Sequence, residues 1–243
     1  MNFSLWQFIH NKQPSSVHPL FNTSLIDGIK IVCPSDLAQY WQKSPNLDFS
    51  FIGSIKTGEV FPKLWAKYKG LHFEITERKN GSFRCTIRGS LHKYFNDGKD
   101  NANLYTFQNL LDTLKRLEQE FKVIPSKAVL ENVEFGVNVK TPIPTDKVLK
   151  GLIASGKNRF ELSKVKGVLF SVINRYEYNV KAYNKAYQLI KAPVLTDRKK
   201  CFVMRLEFHY TKMRWFVNTL KVTTLQDLAS IEVYNQLGKE LID

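Results

Sequence analysis

Two short stretches in the C-terminal half of the chain carry the residue types of phosphate-ester chemistry. Val180-Lys181-Ala182-Tyr183-Asn184-Lys185-Ala186-Tyr187-Gln188 sets a tyrosine between lysines at the end of a predicted strand. Further on, Met204-Arg205-Leu206-Glu207-Phe208 sets an arginine and a glutamate on one face of another. A tyrosine hydroxyl with a pKa of about 10 is a weak nucleophile at neutral pH. It needs cationic neighbours or a base, and Lys181 and Lys185 are the local ones. Glu207, with Glu134 in the middle of an earlier strand, offers the hard oxygen ligands that Mg2+ or Mn2+ prefers. An arginine, acids, lysines and an exposed tyrosine are what a metal-assisted transesterification of DNA requires. The same residues also suit ordinary amphipathic strands, with a cross-strand salt bridge such as Arg205 to Glu134.

The elements that must position them follow from periodicity. Ile26 to Val32 is β-rich, and Pro34-Ser35-Asp36 begins a helix that runs to about Lys43. Strands at 48–55 and 59–65 flank a turn at Lys56-Thr57-Gly58. Leu71 to Thr76 alternates, with His72, Glu74 and Thr76 on the polar side, and Lys79-Asn80-Gly81 turns the chain into Phe83 to Arg88. Arg84, Thr86 and Arg88 share one face there, and Gly89 to Phe95 leaves the sheet. From Thr106 to Phe121 the period becomes helical: Phe107, Leu110, Leu111, Leu114, Leu117 and Phe121 form a single apolar stripe.

Leu130 to Val139 alternates again, with Asn132, Glu134, Gly136 and Asn138 on one side. Asn138 stands about 13 Å along an extended strand from Glu134, too far to share an ion unless the strand bends at Gly136. A helix from Thr145-Asp146 to about Ala154 precedes a region rich in Lys and Arg. A hairpin at 168–174 and 176–183 turns near Asn174-Arg175 and aligns Glu177, Asn179, Lys181 and Tyr183. A short helix or turn runs to Ile190, and the basic run Arg198-Lys199-Lys200 precedes the last strand, Phe202 to Tyr210, which aligns Arg205, Glu207 and His209. Helices at Thr211–Val217 and 224–237 finish the chain.

The fold class expected is α+β: an antiparallel sheet with helices on one face and an open polar face. Residues 1–24 form an N-terminal extension, 25–125 a first α+β half and 126–243 a second half carrying the candidate site. The two rounds of strands and helices suggest a duplicated ferredoxin-like unit, although the sequence shows no repeat.

Composition names the kind of partner. Among 243 residues, 36 Lys and Arg stand against 22 Asp and Glu, a net charge of +14. Such a balance suits a polyanion, because each neutralised phosphate releases condensed counterions. Cys33, Cys85 and Cys201 have no metal-ligand spacing, and an odd count without a signal peptide points to reduced thiols in the cytoplasm. No apolar run approaches the roughly 20 residues of a membrane span.

The ordered set Glu131-Asn132-Val133-Glu134-Phe135-Gly136-Val137-Asn138, then Val180-Lys181-Ala182-Tyr183-Asn184-Lys185, then Arg205-Leu206-Glu207 resembles the motif order of rolling-circle replication initiators. The similarity is to the plasmid Rep-trans and the filamentous-phage gene II and gene X groups, and it spans roughly residues 26–230. Their pattern is a strand of the type Arg-x-Asp-x-x-x-Asp, then Arg-x-Tyr-Asp/Asn-Lys, then Arg-x-Glu. Gly89-Ser90-Leu91-His92 resembles the Ser-Gly segment before the helix in these families.

The resemblance implies a tyrosine that attacks one DNA strand, becomes linked to the 5′-phosphate and releases a 3′-hydroxyl. By position, Tyr183 is the nucleophile, Glu134 and Glu207 are metal ligands or their supports, and Arg205 is a phosphate contact. Arg84, Arg88, His92, Lys199 and Lys200 are the further candidates for DNA binding. Asn132 stands where the family has Arg and Asn138 where it has the second Asp, and there is no His-hydrophobic-His motif beyond the distant His72-Phe73-Glu74. The chain also ends soon after the last motif, leaving little room for a helicase-recruiting or origin-specificity domain. The partners expected are single-stranded and origin DNA and a host helicase, with no membrane. The rival expectations are a non-catalytic DNA-binding protein of the same fold and a basic scaffold protein. The catalytic reading carries one geometric expectation: Tyr183, Glu134 and Glu207 should converge on one open face of one sheet, and the reading fails if they point to different faces.

Overall fold

In the computed structural model, residues 25–53, 56–101, 103, 105–165, 167–185 and 202–241 are described. In chain order the first half contains β1 (Ile26–Cys33), α1 (Leu37–Gln42), β2 (Ser50–Gly53), β3 (Val60–Tyr68), β4 (Leu71–Glu77), β5 (Phe83–Ser90), α2 (Leu91–Phe95) and α3 (Phe107–Phe121). The second contains β6 (Val129–Lys140), α4 (Thr145–Gly151), the small hairpin β7 (Ala154–Ser155) and β8 (Asn158–Arg159), β9 (Glu161–Val165), β10 (Val168–Asn174), β11 (Tyr178–Asn184), β12 (Val203–Tyr210) and α5 (Ile231–Glu240). One large antiparallel sheet joins them in the order β2-β3-β4-β5-β1-β6-β12-β11-β10-β9. Outward from the β1–β6 junction, the fifth, fourth, third and second strands on one side mirror the twelfth, eleventh, tenth and ninth on the other.

Alternation places the core on one side of this sheet. Ile29, Ile31, Phe73, Ile75, Cys85, Ile87, Val133 and Phe135 are buried on that face, beneath the apolar stripe of α3. Thr106 caps α3 with a reciprocal capping box to Asn109, so both ends of that first turn are satisfied. The Trp41 ring meets Phe73 edge-on at 5.1 Å, and its Nε1 donates to the Phe121 carbonyl at 3.0 Å. In the second half Phe135, Phe208, Tyr178 and Tyr210 stack across three strands, β6, β12 and β11.

Several expected elements differ in extent. The helix begun at Thr145 stops at Gly151, because residues 154–159 fold into the β7–β8 hairpin. The charged stretch after it includes β9, an exposed edge strand whose apolar residues are too few to read as a strand. The helix expected at Thr211–Val217 is a π-helical turn at Phe216–Leu220. The one expected at 224–237 divides into a 3-10 turn, Asp227–Ala229, and α5, because the Ser230 hydroxyl caps a new helix at the Val233 amide. The N-terminal extension, Tyr187, the turn through Ile190 and the Arg198-Lys199-Lys200 run lie outside the described residues.

Cys33 and Cys85 are free thiols opposite one another on β1 and β5. Among the described residues, no helix is long and apolar enough to cross a membrane.

Candidate active site

The site begins with a flaw in the β1–β6 ladder. Ile26 pairs with Phe135 and Gly28 with Glu134, so Asp27 is an extra residue on β1, a β-bulge. The bulge lets Asp27 join the polar face, where strict alternation with Ile29, Ile31 and Cys33 would have put it on the core side. Gly28 belongs to the same device, since a Cβ there would come within 3.0 Å of the Glu134 Cβ. Gly136 is more constrained: a Cβ would lie 2.3 Å from the Leu206 carbonyl oxygen and 2.9 Å from Glu207 Cγ. The lack of a side chain at that position makes room for the Glu207 carboxylate.

Asp27 is buried and fully engaged. The Ser90 hydroxyl donates to its Oδ1, while the Asn101 amide donates to Oδ2 at 2.7 Å and Arg205 Nη2 to the same oxygen at 3.0 Å. Burial alone would raise this carboxyl, but Arg205, Ser90 and Lys185 outweigh it and hold Asp27 below its ordinary range. Arg205 is the hub: its Nε donates to Glu207 Oε1 and its Nη1 to Asn138 Oδ1 at 3.2 Å. Burial works against its charge, yet the two flanking carboxylates raise it further.

Tyr183 pairs in register with Arg205 on the adjacent strand, and its hydroxyl donates to Glu207 Oε1 at 2.9 Å. Burial and the nearby Glu207 charge push the phenol well above its ordinary pKa. Glu134, Glu207 and Asp27 bring carboxylate oxygens within 4.8 Å of one another. Burial, and after it the nearby Glu207 and Asp27 charges, push Glu134 up to about 7. Lys185, also buried, donates to Asn101 Oδ1 at 2.9 Å and is pushed down to about 8 by burial and by Arg205. The Asn101 side chain thus bridges Asp27 and Lys185 from the loop between α2 and α3.

The expected convergence of Tyr183, Glu134 and Glu207 on one face of one sheet is present, with Lys181 directly opposite Glu207 in the ladder. The exposure expected for Tyr183 is not: the residue is 5% exposed, because Glu207 and Arg205 draw its hydroxyl into a buried polar network. The Arg205 guanidinium, expected to meet a phosphate, is occupied by Asp27, Glu207 and Asn138, and its carboxylate partners do not include Glu134. Arg84 and Arg88 lie on the polar face as expected, paired with Glu131 and Glu74 respectively. His92 differs. It is buried, stacked on Tyr105 at 4.6 Å and bonded to Asn103 Oδ1 at 2.7 Å, so it anchors the α2–α3 loop where a solvent-facing DNA contact was expected. Burial holds its imidazole below its ordinary pKa. Asn132 lies against His209 Nε2.

Three participants escaped the sequence: Asp27, Asn101 and the hydroxyl role of Ser90. Asp27 precedes Gly28, and Asp-Gly reads as a turn. The usable signal was a single acid followed by the regular alternation Ile29, Ile31, Cys33. Comparison with protein-family models and with curated proteins finds no match to this chain.

Proposed function

We propose that this protein nicks and rejoins single-stranded origin DNA through a covalent 5′-phosphotyrosine, as an initiator of plasmid or phage rolling-circle replication. The observation that carries the reading is the Tyr183 hydroxyl bonded to Glu207 inside a cluster of three carboxylates and two buried cations. In the forward step the Tyr183 oxygen bonds to phosphorus while the phosphorus–O3′ bond breaks. The phenolic proton passes to Glu207 along the existing hydrogen bond, and the leaving O3′ takes a proton from Lys185, whose lowered pKa suits an acid near neutrality. Rejoining reverses each transfer. Asp27 and Arg205 are positioning residues that fix the Glu207 carboxylate.

The donor set fits a hard divalent ion. Glu134 and Glu207 offer carboxylate oxygens within 4.8 Å of one another and of Asp27, and the Glu134 pKa is raised by burial and by the charges of Glu207 and Asp27, which Mg2+ or Mn2+ would neutralise. Asp27, already satisfied by Ser90, Asn101 and Arg205, supports the ligands from behind. When bound, such an ion supplies Lewis-acid polarisation of the phosphate. The basic residues of the sheet hold the DNA backbone.

A second reading, a DNA-binding protein of this fold without catalysis, is favoured by the burial of Tyr183 and by Asn at positions 132 and 138. One assay separates the two. The protein is incubated with labelled origin-strand oligonucleotide and Mn2+, then run on a denaturing gel. A covalent adduct absent in Tyr183→Phe is the result expected of the nickase; an adduct that survives this change but not Tyr187→Phe moves the nucleophile. Salt-sensitive binding with no adduct is the outcome for the binding protein, and no binding at all is that for a scaffold.

A further inference from the structure

Along β3 the polar face alternates aromatic and cationic side chains: Phe61, Lys63, Trp65 and Lys67. The residues between them point the other way, with Leu64, Ala66 and Tyr68 packed in or against the core, a set from which Phe61 and Trp65 are absent. Phe61 is 40% exposed and Trp65 half-buried, and the Lys67 ammonium lies 5.3 Å from the centre of the Trp65 ring. Same-face neighbours on a strand are about 7 Å apart, so two aromatic faces and two cations occupy about 20 Å of one row.

This row leads to the candidate active site. Lys67 pairs with His72, His72 with Arg88, Arg88 with Lys30 and Lys30 with Asn132, each the direct cross-strand partner of the next. Asn132 lies against His209, which pairs with Glu134. The side chains of Arg88 and Lys30 are 56% and 42% exposed. Two acids, Glu74 and Glu131, serve four of the cations on this face, Lys63, Arg88, Lys30 and Arg84, while Lys67 has no carboxylate partner among the described residues. The face therefore keeps a positive excess beside the exposed Phe61 ring and the half-buried Trp65 ring. Desolvation, Arg88 and Lys67 together lower the His72 pKa.

We infer that the outer face of β3 is a stacking platform for single-stranded DNA, with the backbone crossing the Arg88–Lys30 row toward Tyr183. Bases stack on Trp65 and Phe61, and Lys63 and Lys67 contact the phosphates between them. Charge complementarity and the partly exposed rings of Phe61 and Trp65 select this occupant: a duplex hides its base faces. The inference extends the nickase reading by naming where the substrate's flank lies, and its failure is separable from the failure of that reading.

The test is fluorescence anisotropy of the full-length protein with a labelled oligodeoxythymidine, alongside the covalent-adduct gel. Trp65→Ala should weaken binding about ten-fold or more, the loss of one base stack, with Trp65→Phe retaining most of the affinity. Lys67→Ala should lower the dependence of affinity on salt by about one counterion. Unchanged binding in Trp65→Ala at an unchanged melting temperature overturns the platform, as does preference for phosphatidylserine vesicles over the oligonucleotide. If Tyr183 forms its adduct while Trp65→Ala alters neither binding nor yield, the platform alone is wrong. If Trp65-dependent binding occurs with no adduct, the platform stands and the nickase reading falls.

Discussion

The Tyr183 hydroxyl and the Glu207 carboxylate are joined by a 2.9 Å hydrogen bond across β11 and β12, although the ladder pairs Tyr183 with Arg205 and Glu207 with Lys181. The contact is diagonal, and the oxygen that Tyr183 reaches, Oε1, is the one that Arg205 also holds. Tyr183→Phe should therefore remove the proposed nucleophile without unpairing Glu207. The expected outcome is no covalent adduct on a denaturing gel, with a stability loss of about 1 kcal/mol in urea unfolding, the net worth of one hydrogen bond.

Arg205 is the residue whose removal should harm the fold most. Arg205→Met leaves Asp27 and Glu207 buried without their shared cation, at a cost of about 3–5 kcal/mol. Adding Asp27→Asn to Arg205→Met should recover part of that loss, because one of the stranded charges is gone. Urea midpoints of the two single variants and the double variant, analysed as a cycle, measure this coupling.

Gly136→Ala tests how tightly β6 and β12 approach one another. The new Cβ meets the backbone oxygen of Leu206 at 2.3 Å, and backbone cannot yield as a flexible side-chain tip can. A destabilisation of about 2–4 kcal/mol is expected, as for overpacking and strain at a special position. Gly238→Ala in α5 is the control. Its Cβ would meet nothing nearer than Leu25 Cδ1 at 3.5 Å, so it should stabilise by about 0.5–1 kcal/mol through helix propensity. Thermal melts of both variants decide the point.

Stability should depend on pH through Glu134. Its folded pKa, about 7, lies above the ordinary 4.5, so between these values the folded state binds more protons than the unfolded chain. The contribution is present in full below pH 4.5 and is lost as pH rises through 7. Against wild type, Glu134→Gln should gain on the order of 2 kcal/mol at pH 8. Mn2+ should raise the wild-type melting temperature at that pH and leave Glu134→Gln nearly unchanged. Differential scanning fluorimetry with and without the ion reads both effects.

Period-two alternation made much of the site legible from the chain alone. Glu134, Tyr183, Arg205 and Glu207 were assignable to polar strand faces because neighbouring side chains on a strand must point to opposite sides. The α3 stripe was legible for the same local reason at the helical period. What local order does not contain is which strands become neighbours and where the ladder slips. Asp27 meets Arg205 across 178 positions, at a bulge that interrupts the alternation used to assign faces. Asn101 reaches Asp27 and Lys185 from a loop with no period at all. Burial is likewise collective: Tyr183 is an ordinary strand residue in sequence, and only the packing of β12 and the Glu207–Arg205 pair beside it withdraws its hydroxyl from water. Side-chain direction is set by each strand's own geometry, whereas the partners and the dielectric around each charge are set by segments far away in the chain.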